Sequence, residues 1–278
     1  MTLLAANRNG EQRERSRGGL RNSPLFDILL FLVVAAGLVA LAARGAADMD
    51  YTWQWARLAP YLWRVVDGEI IPGSLVKGLL VTLQIAGVAA LLTLPLGLAL
   101  ALARLSDSIV GRFLAAAYVE IIRNTPLLLQ ILIVYFIIGR IFGLSRWWCG
   151  VLTLAWYEAT FAAEIIRGSI LAVARGQWEA GRALGLGGFD IYRSIVLPQA
   201  LPLMAPPMTG VLVNLVKHSS IVSVIAIFDL TNEGRTIAAD TFMSFEVWLV
   251  VATMYLSVTV TMSLLAAWLE KRLAPVLR

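Results

Sequence analysis

The stretch Leu79–Ala103 reads LLVTLQIAGVAALLTLPLGLALALA, 25 residues without one charged side chain. A hydrocarbon core about 30 Å thick is crossed by roughly 20 apolar helical residues, so this run predicts a membrane-spanning helix on its own. Elsewhere in the chain, Val247–Leu269 is a second uncharged run, and Leu25–Ala43 a third with only Asp27 near its start. Three more are interrupted by polar groups. Arg140 lies in Thr125–Gly143, Glu158 and Glu164 in Trp147–Gly168, and Lys217 and His218 in Leu203–Ile227. The sequence therefore predicts six spans in an all-α, polytopic membrane bundle. A β-barrel is excluded, because its spans alternate polar and apolar residues.

Composition agrees. The 278 residues are 59% hydrophobic and 15% charged, with a mean hydropathy of +0.78, against about 25% charged in soluble domains. The single histidine and single cysteine, His218 and Cys149, exclude an internal disulfide, a bis-histidine haem site and the usual Cys/His metal clusters. Lys77, Lys217 and Lys271 are followed by Gly78, His218 and Arg272, so none completes the Gly-x4-Gly-Lys-Ser/Thr phosphate loop. No catalytic residue, metal site or bound cofactor is expected on this chain, and any ATP that drives it is bound by another. Neither serine nor aspartyl intramembrane-protease motifs are present.

Basic residues orient the spans. With six, both termini share a side. That side holds Arg8, Arg13, Arg15, Arg17, Arg21, Arg104, Arg112, Arg123, Arg167, Arg175, Arg182, Arg193, Lys271, Arg272 and Arg278, which is 15 of the 23 lysines and arginines. The far side holds seven, together with Asp48, Asp50, Asp67, Glu69, Asp229, Glu233, Asp240 and Glu246. Both termini are expected in the cytoplasm. The net charge of +5 then reports topology and contact with anionic lipid; a nucleic-acid partner is not expected.

Before the second span lie a disordered cytoplasmic tail over 1–24 and an anchor and extracytoplasmic aromatic connector over 25–74; after the last span a cytoplasmic tail over 272–278 is expected. Ala42-Ala43-Arg44-Gly45-Ala46 is a weak cleavage pattern, so the first span is expected to stay as an anchor. Residues 51–66, with Tyr51, Trp53, Trp55, Tyr61 and Trp63, predict a short helix in the outer membrane interface.

The longest cytoplasmic connection, Leu171–Pro202, reads LAVARGQWEAGRALGLGGFDIYRSIVLPQALP. Gln177–Leu184 favours a helix with a small apolar face, Gly185, Gly187 and Gly188 break it, and a second helix over Phe189–Val196 is expected to be limited by Pro198. Such a helix suits a groove on another protein; an ordinary helix-turn-helix connector is the bland alternative. Glu179-Ala180-Gly181, three residues, Gly185, nine residues, then Ile195-x-Leu197-Pro198 resembles the E-A-A-x3-G-x9-I-x-L-P signature of ABC importer permeases, with Gly181 in place of the second alanine. The segments Tyr118–Leu128, Ala163–Gly168 and Asn214–Ser220 are similar to the subfamily for polar amino acids and opines, His218 standing where that subfamily has Asp or Asn.

This resemblance covers residues 75 to 271 and implies a type I importer in the bacterial inner membrane: a five-span permease core, here with one extra N-terminal helix. It implies a second permease, identical or paralogous, and ABC ATPase subunits that carry ATP and Mg. Glu179, Ala180, Gly181, Arg182, Gly185, Ile195, Leu197 and Pro198 would form the coupling element. An extracytoplasmic binding protein would deliver the solute.

Ionisable groups inside spans are functional candidates because a charge at mid-bilayer costs at least about 2.5–3.5 kcal/mol. Glu158 lies 11 residues past Trp147, about 17 Å along the helix. It either contacts an amino or cationic group of the solute or pairs with Lys217 or His218. Asn214 lies one turn before Lys217. Gln84 and Gln130 either join helices or face the pathway. Pro95, Pro206 and Pro207 are expected to kink their helices. The rival reading is a secondary transporter or channel driven by an ion gradient, whose folds usually contain inverted repeats; none is evident here.

Overall fold

The computed structural model describes residues 24–49 and 51–273. It divides into two units, residues 1–53 and 54–278. The expected tail over 1–24 falls almost wholly outside the described residues, as do residues 274–278. In the first unit, α1 (Pro24–Asp48) is a single helix whose Phe26–Asp48 portion is apolar and long enough to cross a membrane.

The second unit opens with a 3-10 turn (Trp55–Leu58) and one turn of helix, α2 (Ala59–Leu62). The chain then becomes extended. β1 (Trp63–Val66) pairs antiparallel with β2 (Glu69–Pro72), in register Trp63↔Pro72 through Val66↔Glu69. The helix expected over 51–66 is thus confined to 55–62. Val65, Val66, Ile70 and Ile71 are β-branched and flank Asp67-Gly68, both at positive φ, which is a strong hairpin signal and outweighs the aromatic periodicity.

The six expected spans have counterparts. α3 (Ser74–Leu105) runs unbroken through Pro95. α4 (Ile109–Arg123) is capped by Ser108 and bends by 104° into α5 (Leu127–Ile133), which continues through a π turn (Val134–Ile138) into α6 (Gly139–Phe142). The span expected at 125–143 is the second limb of this broken pair. α7 (Arg146–Leu171) follows, then α8 (Arg175–Ala183).

Pro198 does not stop the next helix. α9 (Gly188–Ile191), a π turn (Tyr192–Val196), α10 (Leu197–His218) and a 3-10 run (Ser219–Ile225) form one 38-residue rod. A proline ring meets the carbonyl four residues back in an α-helix, here that of Ser194, and the wider π turn relieves that clash. α11 (Leu230–Thr241) and α12 (Ser244–Leu273) complete the chain. Counting the broken pair once, six helical segments among the described residues can cross a membrane, and the hairpin is the departure from an otherwise all-α fold.

Three buried clusters hold α3 and α7 at the centre of this unit. Ile85, Ala89, Ile131, Leu154 and Leu215 occupy its middle. Ala101, Ile166, Ile170, Ile191 and Val196 join the spans to the loop after α7. Leu58, Leu75, Leu230, Met243 and Val247 close the other end, where the backbone N–H of Gln54 donates to buried Glu246 at 2.6 Å.

Candidate functional site

The loop after α7 is a built element. α8 ends in a Schellman cap: Gly185 N–H donates to Arg182 O at 3.0 Å and Leu186 N–H to Gly181 O at 3.1 Å, with Gly185 at φ +74°. That left-handed position is why the signature needs glycine there. Gly181 is buried, and a Cβ on it would lie 2.9 Å from Ile195 Cδ1 and 3.0 Å from Ile191 Cγ1. The small residue therefore lets α8 close onto the rod, so its tightness serves the loop itself. Trp178 stacks edge-on against Tyr192 at 5.1 Å. Glu179, Ala180 and Arg182 are exposed, and no ion pair joins Glu179 to Arg182 among the described residues. Glu179 and Arg182 line, with Ile170, Leu171, Val173, Arg175 and Trp178, a cavity of about 540 Å³. Leu184 and Phe189 are exposed. Ile195 and Leu197 are half-buried and Pro198 exposed.

The second site lies between spans. Glu158, at the midpoint of α7, is 1% exposed, and its Oε1 is 2.6 Å from Nδ1 of His218 on α10. Its Oε2 is buried without a hydrogen-bond partner among the described residues. Of the two partners expected for Glu158, the structure selects His218; Lys217 is exposed, as is Asn214. Beyond the pair runs a ladder of rings: His218 against Tyr157 at 5.7 Å, Tyr157 against Phe161 at 5.4 Å, and the Arg123 guanidinium 4.8 Å from the Phe161 centroid. Sequence reasoning misses Arg123 as a member of this group, because it ends α4 and only packing brings it over the Phe161 ring of α7.

The amides separate. Gln84 is exposed on α3. Gln130 is buried and its Nε2 donates to Ile122 O at 2.7 Å and Thr125 O at 3.0 Å, so it clamps the α4–α5 bend. Glu164 bridges Arg104 of α3 and Arg167, the latter at 2.8 Å, which ties two spans near the loop after α7. A buried network sits at the opposite end. Asp229 caps α11 through the N–H groups of Thr231 and Asn232, and Tyr255 Oη lies 3.4 Å from its carboxylate. Burial pushes the Asp229 carboxyl up to about 6, against the lowering effect of those hydrogen bonds.

A multi-span helical bundle with a glycine-capped helix after α7 is the architecture of a membrane transport component. The family model for the inner membrane component of binding-protein-dependent transport systems matches residues 93–275, and the chain belongs to that family. The glutamine transport system permease protein GlnP of Escherichia coli is 32% identical over 202 residues, covering 72% of this chain and 92% of the relative. The probable glutamine ABC transporter permease protein GlnM of Bacillus subtilis is 38% identical over 179 residues, 64% of this chain and 83% of the relative. A crystal structure of an amino acid ABC transporter with histidines superposes with a TM-score of 0.67 at 34% identity, over 72% of this chain and 94% of that one. The chain is accordingly a multi-pass permease subunit of a binding-protein-dependent ABC importer.

Proposed function

We propose that this subunit passes a polar amino acid, or an amino-acid-like solute, along the face of α10 that carries Asn214, Lys217 and His218. One observation carries the reading. Asn214 and Lys217, with half-buried His218 and its ring ladder, are open at the surface of a single chain, on the long apolar rod that contains α10. A cation facing lipid there would cost at least about 2.5–3.5 kcal/mol, so the face belongs against water or protein. A second permease, identical or paralogous, would cover it and enclose an aqueous path. Names given to the relatives, glutamine and amino acid transporters, favour a cargo with amino and carboxylate groups, for which exposed Lys217 and Arg123 offer partners to the carboxylate and His218 and Glu158 offer hydrogen-bonding atoms.

In this reading α8 and Gly185 dock on an ABC ATPase that holds ATP and Mg, this chain does no chemistry of its own, and the termini lie in the cytoplasm. The test is reconstitution of the chain with an ABC ATPase and a binding protein from the same cell. Uptake of labelled glutamine, or of the amino acid the binding protein retains, is expected only with ATP inside the vesicles opposite the binding protein. Uptake driven by a sodium or proton gradient without the ATPase would overturn the reading in favour of a secondary transporter.

A further inference from the structure

The hairpin β1–β2 divides cleanly into two faces. Directly opposed residues of an antiparallel pair share a face and successive ones alternate. Trp63, Pro72, Val65 and Ile70 therefore make one face, and Arg64, Ile71, Val66 and Glu69 the other. The first has no polar side chain, and Trp63, Val65 and Ile70 are 60%, 72% and 78% exposed. The second borders α3: Arg64, Val66 and Ile71, with Pro72 at the edge of the first face, line a small cavity together with Gly73, Ser74 and Lys77, while Glu69 stays exposed.

That shared cavity fixes the level of the hairpin. Val66 lies next to the turn, and Lys77 lies about one turn into α3, so the hairpin folds alongside the first turn of α3 instead of projecting beyond it. Ser74 and Lys77 precede the uncharged run at Leu79 by five and two residues, about 7.5 and 3 Å of helix. The polar layer on each side of the hydrocarbon is about 5–7 Å thick. A two-stranded hairpin is marginal in water by itself, and a contiguous apolar face needs cover. Tryptophan is the residue best suited to this layer.

We propose that the Trp63, Val65, Ile70 and Pro72 face lies in the headgroup–acyl boundary of the leaflet at which α3 begins, with the lipid surface as its partner. Arg57, exposed and without an ion pair among the described residues, supplies a cation for lipid phosphates. The hairpin is then a lateral anchor that holds the start of α3 at a fixed depth. It stands apart from the solute path and the ATPase loop.

Spin labels on the full chain in vesicles of phosphatidylethanolamine and phosphatidylglycerol test it, Cys149 being buried and unreactive. Labels at Val65 and Ile70 should relax faster with oxygen than with a water-soluble nickel chelate, and a label at Glu69 should show the reverse. Nickel dominance at Val65 and Ile70 would overturn the proposal. Protection from both relaxants would also overturn it, because another protein would then cover the face. An unlabelled readout guards against perturbation by the probe. The emission lost on Trp63→Phe should be largely quenched in lipid brominated near the glycerol end of the acyl chain, and an unquenched difference would count against lipid contact.

Discussion

Glu158 and His218 meet at 2.6 Å between α7 and α10, yet half of the carboxylate, Oε2, has no partner among the described residues. A fully buried acid with one oxygen satisfied is costly unless that arrangement serves something. Removing the imidazole leaves the acid alone, and breaking a buried pair in this way costs about 3–5 kcal/mol. His218→Leu should therefore lower the melting temperature in detergent substantially, and adding Glu158→Met should restore most of it. Adding Lys217→Met instead should restore nothing, because Lys217 is exposed and makes no pair with Glu158. Glu158→Gln keeps the shape and a hydrogen bond to His218, so stability should change little while reconstituted uptake falls. Unchanged uptake by a stable Glu158→Gln protein would show that Oε2 does not meet the solute.

At the scale of elements, the loop after α7, proposed to dock on the ATPase, depends on backbone handedness more than on surface bulk. A Cβ on Gly185 meets nothing within 4 Å, but φ is +74°, a region that costs L-residues about 1–2 kcal/mol. Asparagine tolerates it best. Gly185→Asn should keep most ATP-driven uptake, and Gly185→Val should lose most of it at equal expression. Equal activity in the two variants would refute a role for the cap. This loop was legible in the sequence because glycine spacing and a signature mark it. The spans were legible because an uncharged apolar run longer than about 20 residues suits a bilayer and little else. Further features were hidden for definite reasons. Lys217 and His218 differ by about 100° around a helix, so only packing could choose His218 for Glu158. The α4–α5 bend rests on the side chain of Gln130, and the π turn before Pro198 answers a clash that a linear reading takes as a stop. The hairpin carried a local β signal that an aromatic-rich stretch obscured.

For the whole molecule, one asymmetry has to agree with all six spans at once. α3 has 32 residues, about 48 Å of helix, and therefore reaches past both faces of a bilayer core about 30 Å thick. Its first end carries the hairpin and packs near Asp229 and α11; its second carries Arg104, paired with Glu164 close to α8. The acidic residues gather at the first end and the arginines at the second, so the second is predicted to face the cytoplasm. Cysteines at Asp67, in the hairpin turn, and at Gly176, in α8, probe the two ends at exposed positions, over a background in which Cys149 is buried. On intact cells, or on spheroplasts with the outer barrier removed, an impermeant maleimide should label Asp67→Cys and leave Gly176→Cys unlabelled until the membrane is opened. If Gly176→Cys reacts first, the coupling loop lies outside, where no ATPase can reach it, and both the orientation and the assignment of α8 to ATPase docking fail together. If both sites react on intact cells, a span between them does not cross. The broken pair α4 to α6 is then the segment to revise, because it alone is interrupted by a 104° bend.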